Sequence, residues 1–354
     1  MKFEPARIVG TGAVCAIGGG VQQISAAVRT GISGMAASSV HDRFFEPIKM
    51  ALVPEDALVA LQPAIEKLPL TSRQRRMLRL ATPALQEAVA ELADLRQVPL
   101  FLGLPEAHPK RPAPVDAAFL QHLQTQTGLS FEAKSSQVFP NGRAAGLLAL
   151  EAAMRCLTER RAEHVVVGSA DTHLDLALLA ELDAEQRLLG ERVMDGFVPG
   201  EGAAFVLLHA PAKPGRGGPA AIAVLSAASA QDAGHRYGDQ PAKGEGLANA
   251  LESMLEGLKT PPDLVRTTFA GINGESFGAK AWGVARLRHA ALFDPDADIA
   301  HPADCFGDPG AAAGMLLLAL AADMLDNEHK PGPALVWAAS DGPATACAYL
   351  ERVA

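Results

Sequence analysis

The chain has 354 residues, a length typical of two packed lobes or one large fold. It carries 31 Lys and Arg against 40 Asp and Glu, and the resulting formal charge of -9 argues against nucleic acid or an anionic membrane as the main partner. Hydrophobic residues make up 49% and aromatic residues only 5%, so the core is rich in Ala, Leu and Val and an aromatic-lined binding groove is disfavoured.

The first 211 residues predict one half of an α/β fold. Residues 7–14 form an apolar run cut by glycines, typical of a buried strand, and a helix follows over 21–30. A long helix is predicted from Ser72, which can cap it, to about Leu95, and Pro83 should kink or split it. The remaining predicted elements are a strand at 98–103, helices at 115–126 and 144–157, and strands at 164–170 and 203–208.

Residues 212–219 contain three glycines and two prolines and are the best candidate linker. They divide the chain into an N-terminal half, residues 1–211, and a C-terminal half, residues 220–354. The second half is predicted to hold a strand at 221–226, a helix at 246–258, a strand at 265–270, helices at 279–292 and 311–325, and strands at 335–339 and 345–350. This alternation indicates an α/β fold whose sheets are covered on both faces.

Two helical segments resemble each other. Residues 142–150 and 310–320 are both rich in Gly and Ala and apolar on every side, which predicts burial on every side. Two such helices can approach closely across a pseudo-dyad. Coincidence of two Ala-rich compositions is the alternative explanation.

Cysteine usage and apolar runs bear on the compartment. The four cysteines are scattered and none forms a Cys-x-x-Cys pair, so the sequence predicts no zinc ribbon and no disulfide framework, as expected in the cytoplasm. The longest apolar run, residues 311–322, is shorter than the roughly 20 residues that a bilayer requires, which predicts no membrane insertion. An acid and a proline among the first five residues do not fit a signal peptide.

Four motifs carry a family resemblance. Residues 195–204 read D-G-F-V-P-G-E-G-A-A, and residues 168–171 read G-S-A-D at the end of an apolar strand. With residues 9–18 and 310–314, their order resembles the β-ketoacyl synthase branch of the thiolase-fold family, which has D-G-F-V-x-G-E-G-A, V-x-x-x-G-G-A-E and G-A-A-G at corresponding places. The resemblance implies a thiolase-like fold: two similar βαβαβ halves stacked as five layers, αβαβα, usually in a dimer.

The residues that would carry this family's chemistry are missing. The resemblance implies a cysteine nucleophile at the N-terminus of the first half's buried helix, where the helix dipole lowers the thiol pKa. Arg143 stands there, and a guanidinium, always protonated, cannot attack a thioester. Asn273 stands at the first family histidine and Gly307 aligns with the second. In the Gly-rich C-terminal loop, Pro343 removes a backbone donor.

Two site hypotheses remain open from the residues alone. Arg143 either binds an anion in the vestigial pocket or is buried against an acid as a structural pair. Cys305, with His301 and Asp304 nearby, is either a relocated Cys–His–Asp constellation or an inert cysteine. We favour the structural ion pair for Arg143 and the inert cysteine for Cys305.

Other motifs predict no ligand. The glycines near the N-terminus do not have the G-x-G-x-x-G spacing, and no histidine spacing indicates a metal site, so no cofactor and no metal are expected. Four arginines share one predicted helix, and in an acidic chain they indicate a solvated face or a salt-bridged interface: Arg73, Arg75, Arg76 and Arg79.

A retained fold without its catalytic residues predicts a pseudoenzyme with a protein partner. Our first hypothesis is a non-catalytic accessory or adaptor protein that assists effector loading in a type VI secretion system. The alternatives are a non-catalytic partner of an active ketosynthase, like the chain-length-factor subunits, and a divergent acyltransferase centred on Cys305. A homodimer is also left open.

Overall fold

The computed structural model describes residues 1–210 and 221–353. The strands are β1 (Ala6–Cys15), β2 (Gly18–Gly19), β3 (Met35–His41), β4 (Pro47–Ala51), β5 (Pro99–Leu104), β6 (Glu132–Pro140), β7 (His164–Thr172), β8 (Glu201–His209), β9 (Ala221–Gln231), β10 (Val265–Ala270), β11 (Phe293–Ala300), β12 (Ala334–Ala339) and β13 (Ala344–Val353). The helices are α1 (Val21–Arg29), α2 (Pro63–Glu66), α3 (Ser72–Ala88), α4 (Ala118–Thr127), α5 (Ala145–Thr158), α6 (Leu176–Ala184), α7 (Glu245–Gly257), α8 (Ser276–Arg288), α9 (Ala303–Phe306) and α10 (Ala313–Asp326). Short 3-10 turns, Gly142–Ala144 and Gly310–Ala312, precede α5 and α10.

The main sheet consists of two halves with the same topology. The strand order is β6-β5-β7-β8-β1 in the first half and β11-β10-β12-β13-β9 in the second. In each half the first three strands are parallel and the next two pairings are antiparallel. A short antiparallel pairing of β1 with β9 joins the halves. The prediction of two similar halves is therefore confirmed.

Helices cover both faces of each half-sheet and fill the space between the two. α5 and α10 contact strands of both halves, whereas α3 packs on β1, β7 and β8 and α7 packs on β9 and β13. Side chains alternate accordingly: Val165 and Val167 face the central core, and Val166 faces the outer core beneath α3. This arrangement confirms the five layers expected from the sequence.

The two central helices are the pair that the internal similarity indicated. A Cβ atom on Gly146 of α5 would lie 2.3 Å from Met315 Cγ of α10, and one on Gly314 of α10 would lie 3.0 Å from Leu147 Cγ of α5. Only glycine permits so close an approach at Gly146. The close approach predicted from the similar segments is therefore present.

The long N-terminal helix differs from its prediction. It begins at Ser72 with Thr71, not Ser72, as the cap, it contains Pro83 without splitting, and it ends at Ala88 rather than Leu95. Burial of one face against β1 and β8 outweighs the hydrogen bond that Pro83 cannot make. Leu95 is buried in the same core beyond the helix end, so its apolar spacing marks burial rather than helix.

The predicted linker, residues 212–219, lies outside the described residues, and the domain boundaries at 211 and 220 therefore stay a prediction. Within residues 1–210 and 221–353, no helix combines the length and apolarity needed to cross a bilayer.

Candidate functional site

The three predicted positions lie where the turns before α5 and α10 meet the loop after β10. Arg143 and Asn273 come together around Asp308: Arg143 Nε donates to Asp308 Oδ2 at 2.6 Å, and Asn273 Nδ2 donates to the same oxygen at 2.7 Å. Gly307, the third predicted position, is a turn residue with φ of 68°. The side chain that completes the set is that of Asp308, the next residue, which the sequence analysis missed.

Arg143 belongs to a network of three guanidinium groups and three carboxylates. Besides Asp308, it contacts Asp341 at 2.9 Å. Two further arginines share the remaining carboxylates, and the pairs are Arg187 with Glu275 (2.9 Å) and Asp341 (2.8 Å), and Arg236 with Glu275 (2.9 Å) and Asp341 (3.3 Å). The charges balance within the site, and Arg143 is a structural pair rather than an unpaired anion site.

Neighbouring guanidinium groups favour the ionised form of Asp308 and Asp341. Burial alone would raise the pKa of the Asp308 carboxyl, but the adjacent Arg143 guanidinium holds it below its usual value. Burial acts in the same direction on Asp341, and Arg143 and Arg187 lower its pKa well below the ordinary range. Because opposite charges compensate one another, these groups tolerate a buried location that each alone would not.

Phe197 of the D-G-F-V-P-G-E-G motif lies at the centre of the network. Its ring is completely buried, with the Arg143 guanidinium carbon 5.4 Å and that of Arg187 5.3 Å from the centroid. The motif's Gly200 lies against the end of α9, where a Cβ atom would come within 2.5 Å of the Phe306 carbonyl oxygen. The best preserved motif therefore packs against the site.

A cavity of about 270 Å³ opens beside Arg143. Its polar lining comes from both halves and includes Glu106, His108, Arg111, Tyr237 and Asp341. Its apolar lining is supplied mainly by the proline-rich segment after β5 and by α6: Pro105, Pro112, Pro114, Leu178 and Leu182.

Glu106 is a buried carboxyl group of this cavity whose pKa lies near 7. Its carboxylate oxygens accept hydrogen bonds from the backbone N–H groups of Asp341 and Gly342, both at 2.9 Å. Burial and the negative charge of Asp341 raise the pKa of Glu106 to about 7, against the opposing pull of Arg143. Glu106 thus connects the loop after β5 to the C-terminal loop through a group that changes charge near neutral pH.

His173 is an imidazole in contact with Asp308, next to the predicted position Gly307. Its Nδ1 lies 2.9 Å from the Asp308 carbonyl oxygen, and burial lowers its pKa. The side chain is neutral at pH 7 and holds the turn before α10 instead of pairing with a thiol.

The relocated Cys–His–Asp constellation does not form around Cys305. His301 Nδ1 contacts Asp304 at 2.7 Å, and within the described residues no hydrogen bond joins His301 to Cys305. Cys305 is buried, and burial and the nearby Asp304 raise its pKa. It does not line the cavity beside Arg143. These observations favour an inert cysteine.

The other three thiols are equally poor nucleophiles. All three are buried, and burial raises the pKa of Cys156 and Cys347 and that of Cys15 to about 12. A thiol attacks a thioester as its thiolate, which these pKa values disfavour at neutral pH.

Three of the four arginines of α3, Arg73, Arg76 and Arg79, form salt bridges, which favours the salt-bridged interface of the two interpretations. Arg73 contacts Asp171 at 2.8 Å, and Arg76 contacts Glu201 at 2.6 Å. Asp171 also accepts a hydrogen bond from the Ala311 backbone N–H at 3.0 Å. The cluster therefore ties α3 to the strands that carry two of the recognised motifs.

The chain was compared with protein-family models, curated proteins and solved structures, and only solved structures are similar to it. No protein-family model matches the sequence, and no curated protein matches it. Among solved structures, a chain of the ishigamide ketosynthase/chain length factor is similar over 99% of this chain and 100% of that chain, with a TM-score of 0.71 and 22% identity. A ketosynthase in complex with its chain length factor from Xenorhabdus doucetiae is similar over 99% and 98%, with a TM-score of 0.74 and 16% identity. The module 6 ketosynthase of the Bacillus subtilis 168 bacillaene synthase is similar over 99% and 72%, with a TM-score of 0.77 and 13% identity.

These likenesses show that the chain has the thiolase-like fold of ketosynthases and chain length factors, as the motifs predicted. The fold positions Arg143, Asn273 and Asp308 at the meeting point of the two halves. No side chain among these three is a nucleophile or an imidazole base.

Proposed function

We propose that this protein is a non-catalytic ketosynthase-fold subunit that acts through a protein partner, and that the partner is an active ketosynthase. The observation that carries the proposal is the charge network: Arg143 and Asp308 fill the site with a buried ion pair at 2.6 Å. A thioester carbonyl would have no nucleophile to meet there. The solved structures titled as ketosynthase and chain length factor together support this kind of partnership.

The sheet offers an edge for such a partner. β6 is the end strand of the first half, and Arg143 follows it by three residues. The opposite end strand, β11, carries three aspartates and an internal proline, which protect an edge from pairing. β6 has one Glu and one Lys, and its proline, Pro140, is its last residue. A partner strand added to β6 would therefore lie close to the filled site.

The effector-loading role in a type VI secretion system rests on the sequence argument alone and becomes the competing outcome of the partner experiment. A cytoplasmic location belongs to the same proposal, and the four buried, unpaired cysteines fit a reducing compartment.

Capture of partners tests the proposal directly. The full chain, tagged at its C-terminus, is recovered from its native host and bound proteins are identified by mass spectrometry. We expect a ketosynthase with an intact active-site cysteine. We also expect the exposed double substitution Ala133→Asp/Gln137→Asp on β6 to reduce its recovery at least about tenfold, because strand addition would bury two carboxylates without partners. The control Asp296→Lys on β11 should recover it fully. Recovery of a secretion effector with its adaptor, or undiminished recovery by the β6 variant, would contradict this assignment.

The absence of catalysis is tested separately. We expect no acyl adduct on any cysteine after incubation of the purified chain with acyl-carrier-protein thioesters, because all four thiols have raised pKa values. Intact-protein mass spectrometry measures the adduct, and an active ketosynthase serves as the positive control. A stoichiometric adduct on Cys305 that is lost in Cys305→Ala would overturn the non-catalytic assignment and favour the divergent acyltransferase.

A further inference from the structure

We propose that Glu163, His164 and His209 form a binding site for a divalent transition-metal ion of the zinc type. The site lies at the start of β7 and the end of β8. His164 and His209 are direct partners in the antiparallel pairing of these strands, and their ring centroids are 4.6 Å apart. The two histidines are far apart in sequence, so residue spacing gives no sign of the site.

The donor atoms are already close to coordination geometry. One donor atom from each residue lies within 4.8 Å of the other two, and His209 Nε2 is 3.5 Å from Glu163 Oε1. Ligands held at about 2.0–2.2 Å by a tetrahedral zinc ion are about 3.3–3.5 Å apart from one another. Small side-chain rotations would complete the set. Within residues 1–210 and 221–353, this is the one such group of His, Cys, Asp and Glu donors.

The backbone holds the three residues in place. The Ala210 N–H donates to the Glu163 carbonyl at 2.8 Å, and the β7–β8 pairing continues from His164 to Thr172. Ligands carried on paired strands need little reorganisation on binding. Access is open as well, because 29% of the His209 side chain and 78% of the Glu163 side chain are exposed.

The donor set selects the ion. Two imidazoles and one carboxylate suit zinc and its transition-metal neighbours, whereas magnesium and calcium prefer oxygen ligands. Three protein ligands leave a fourth position for water.

This site is independent of the proposed function. The cavity beside Arg143 is lined by residues that follow the other end of β7, roughly 26 Å away at about 3.3 Å per strand residue. Failure of either proposal therefore leaves the other intact.

Titration of the untagged full chain with Zn²⁺ at pH 7.5, followed by calorimetry, tests the site. We expect one ion per chain, a rise in Tm, and tetrahedral Co²⁺ absorption when Co²⁺ replaces Zn²⁺. His209→Ala and His164→Ala should each weaken binding at least about tenfold, and Glu163→Gln by less. The control His329→Ala, at an exposed histidine, should bind as the wild type does.

Circular dichroism verifies that each variant is folded. If an alanine variant does not fold, the more conservative His209→Asn is measured in its place. A wild-type chain that binds no stoichiometric Zn²⁺, or histidine variants that bind as tightly as the wild type, would overturn the site.

Discussion

Replacing Arg143 by methionine is expected to lower the free energy of unfolding by about 3–5 kcal/mol, because it leaves a buried carboxylate without its main cation. Asp308 is 1% exposed, and Arg143 donates to it at 2.6 Å. Asn273 stays within hydrogen-bond distance of Asp308 but carries no charge. Urea unfolding at pH 7 measures the loss.

Two further variants make this result specific. Arg96→Met breaks an ion pair of similar geometry with Asp94, but that pair is exposed, so its stability should stay near that of the wild type. The double variant Arg143→Met/Asp308→Asn removes both charges and should regain most of the stability. If Arg143→Met is as stable as the wild type, Arg143 is not the structural pair described above, and an anion-binding role would replace it.

The sequence was sufficient for the parts of the fold that are buried. β7 and β12 are continuous apolar runs because helices cover both of their faces, and α5 and α10 are apolar all round because they lie between the two half-sheets. In these elements burial leaves a pattern that can be seen without a structure.

Two of the strands that the sequence did not predict have little burial, whereas helix α6, also not predicted, buries Leu178, Leu179 and Leu182. β6 and β11 are end strands, and β11 contains three aspartates and a proline, so neither shows an apolar run. The β3–β4 hairpin, which is separate from the main sheet, was also missed, although Ile48, Met50 and Ala51 of β4 are buried. Strand pairing at such edges is set by the neighbouring strand, which no local pattern reveals.

The site was predictable only where a motif marks a turn. The motifs located Arg143 and Asn273, but placed the third position at Gly307, one residue from Asp308. Arg187 lies in the N-terminal half and Asp341 near the end of the C-terminal half, yet their side chains are 2.8 Å apart. Contacts between groups so distant in sequence come from the stacking of the two halves and leave no local spacing.

Between pH 4.5 and pH 7, the protein should lose about 3 kcal/mol of stability through Glu106 alone. The ordinary pKa of a glutamate, 4.5, is raised to about 7 in the folded protein by burial and by Asp341. Over this interval the folded state keeps a proton that the unfolded state releases, so each unit of pH costs about 1.4 kcal/mol. The contribution is complete below pH 4.5 and is lost as the pH rises through 7.

Glu106→Gln isolates this contribution, because glutamine stays neutral at every pH. Urea unfolding of both proteins at pH 5, 6, 7 and 8 should give curves that diverge as pH rises, with the variant relatively more stable at pH 8. Glu106 accepts hydrogen bonds from two backbone N–H groups, and glutamine offers them only one acceptor oxygen. The lost hydrogen bond should lower the free energy of unfolding of the variant by the same amount at every pH. Glu46→Gln, at an exposed carboxylate, should leave the slope unchanged. Parallel curves for Glu106→Gln and the wild type would mean that Glu106 is ionised throughout, and the link between the loop after β5 and the C-terminal loop would then be insensitive to pH.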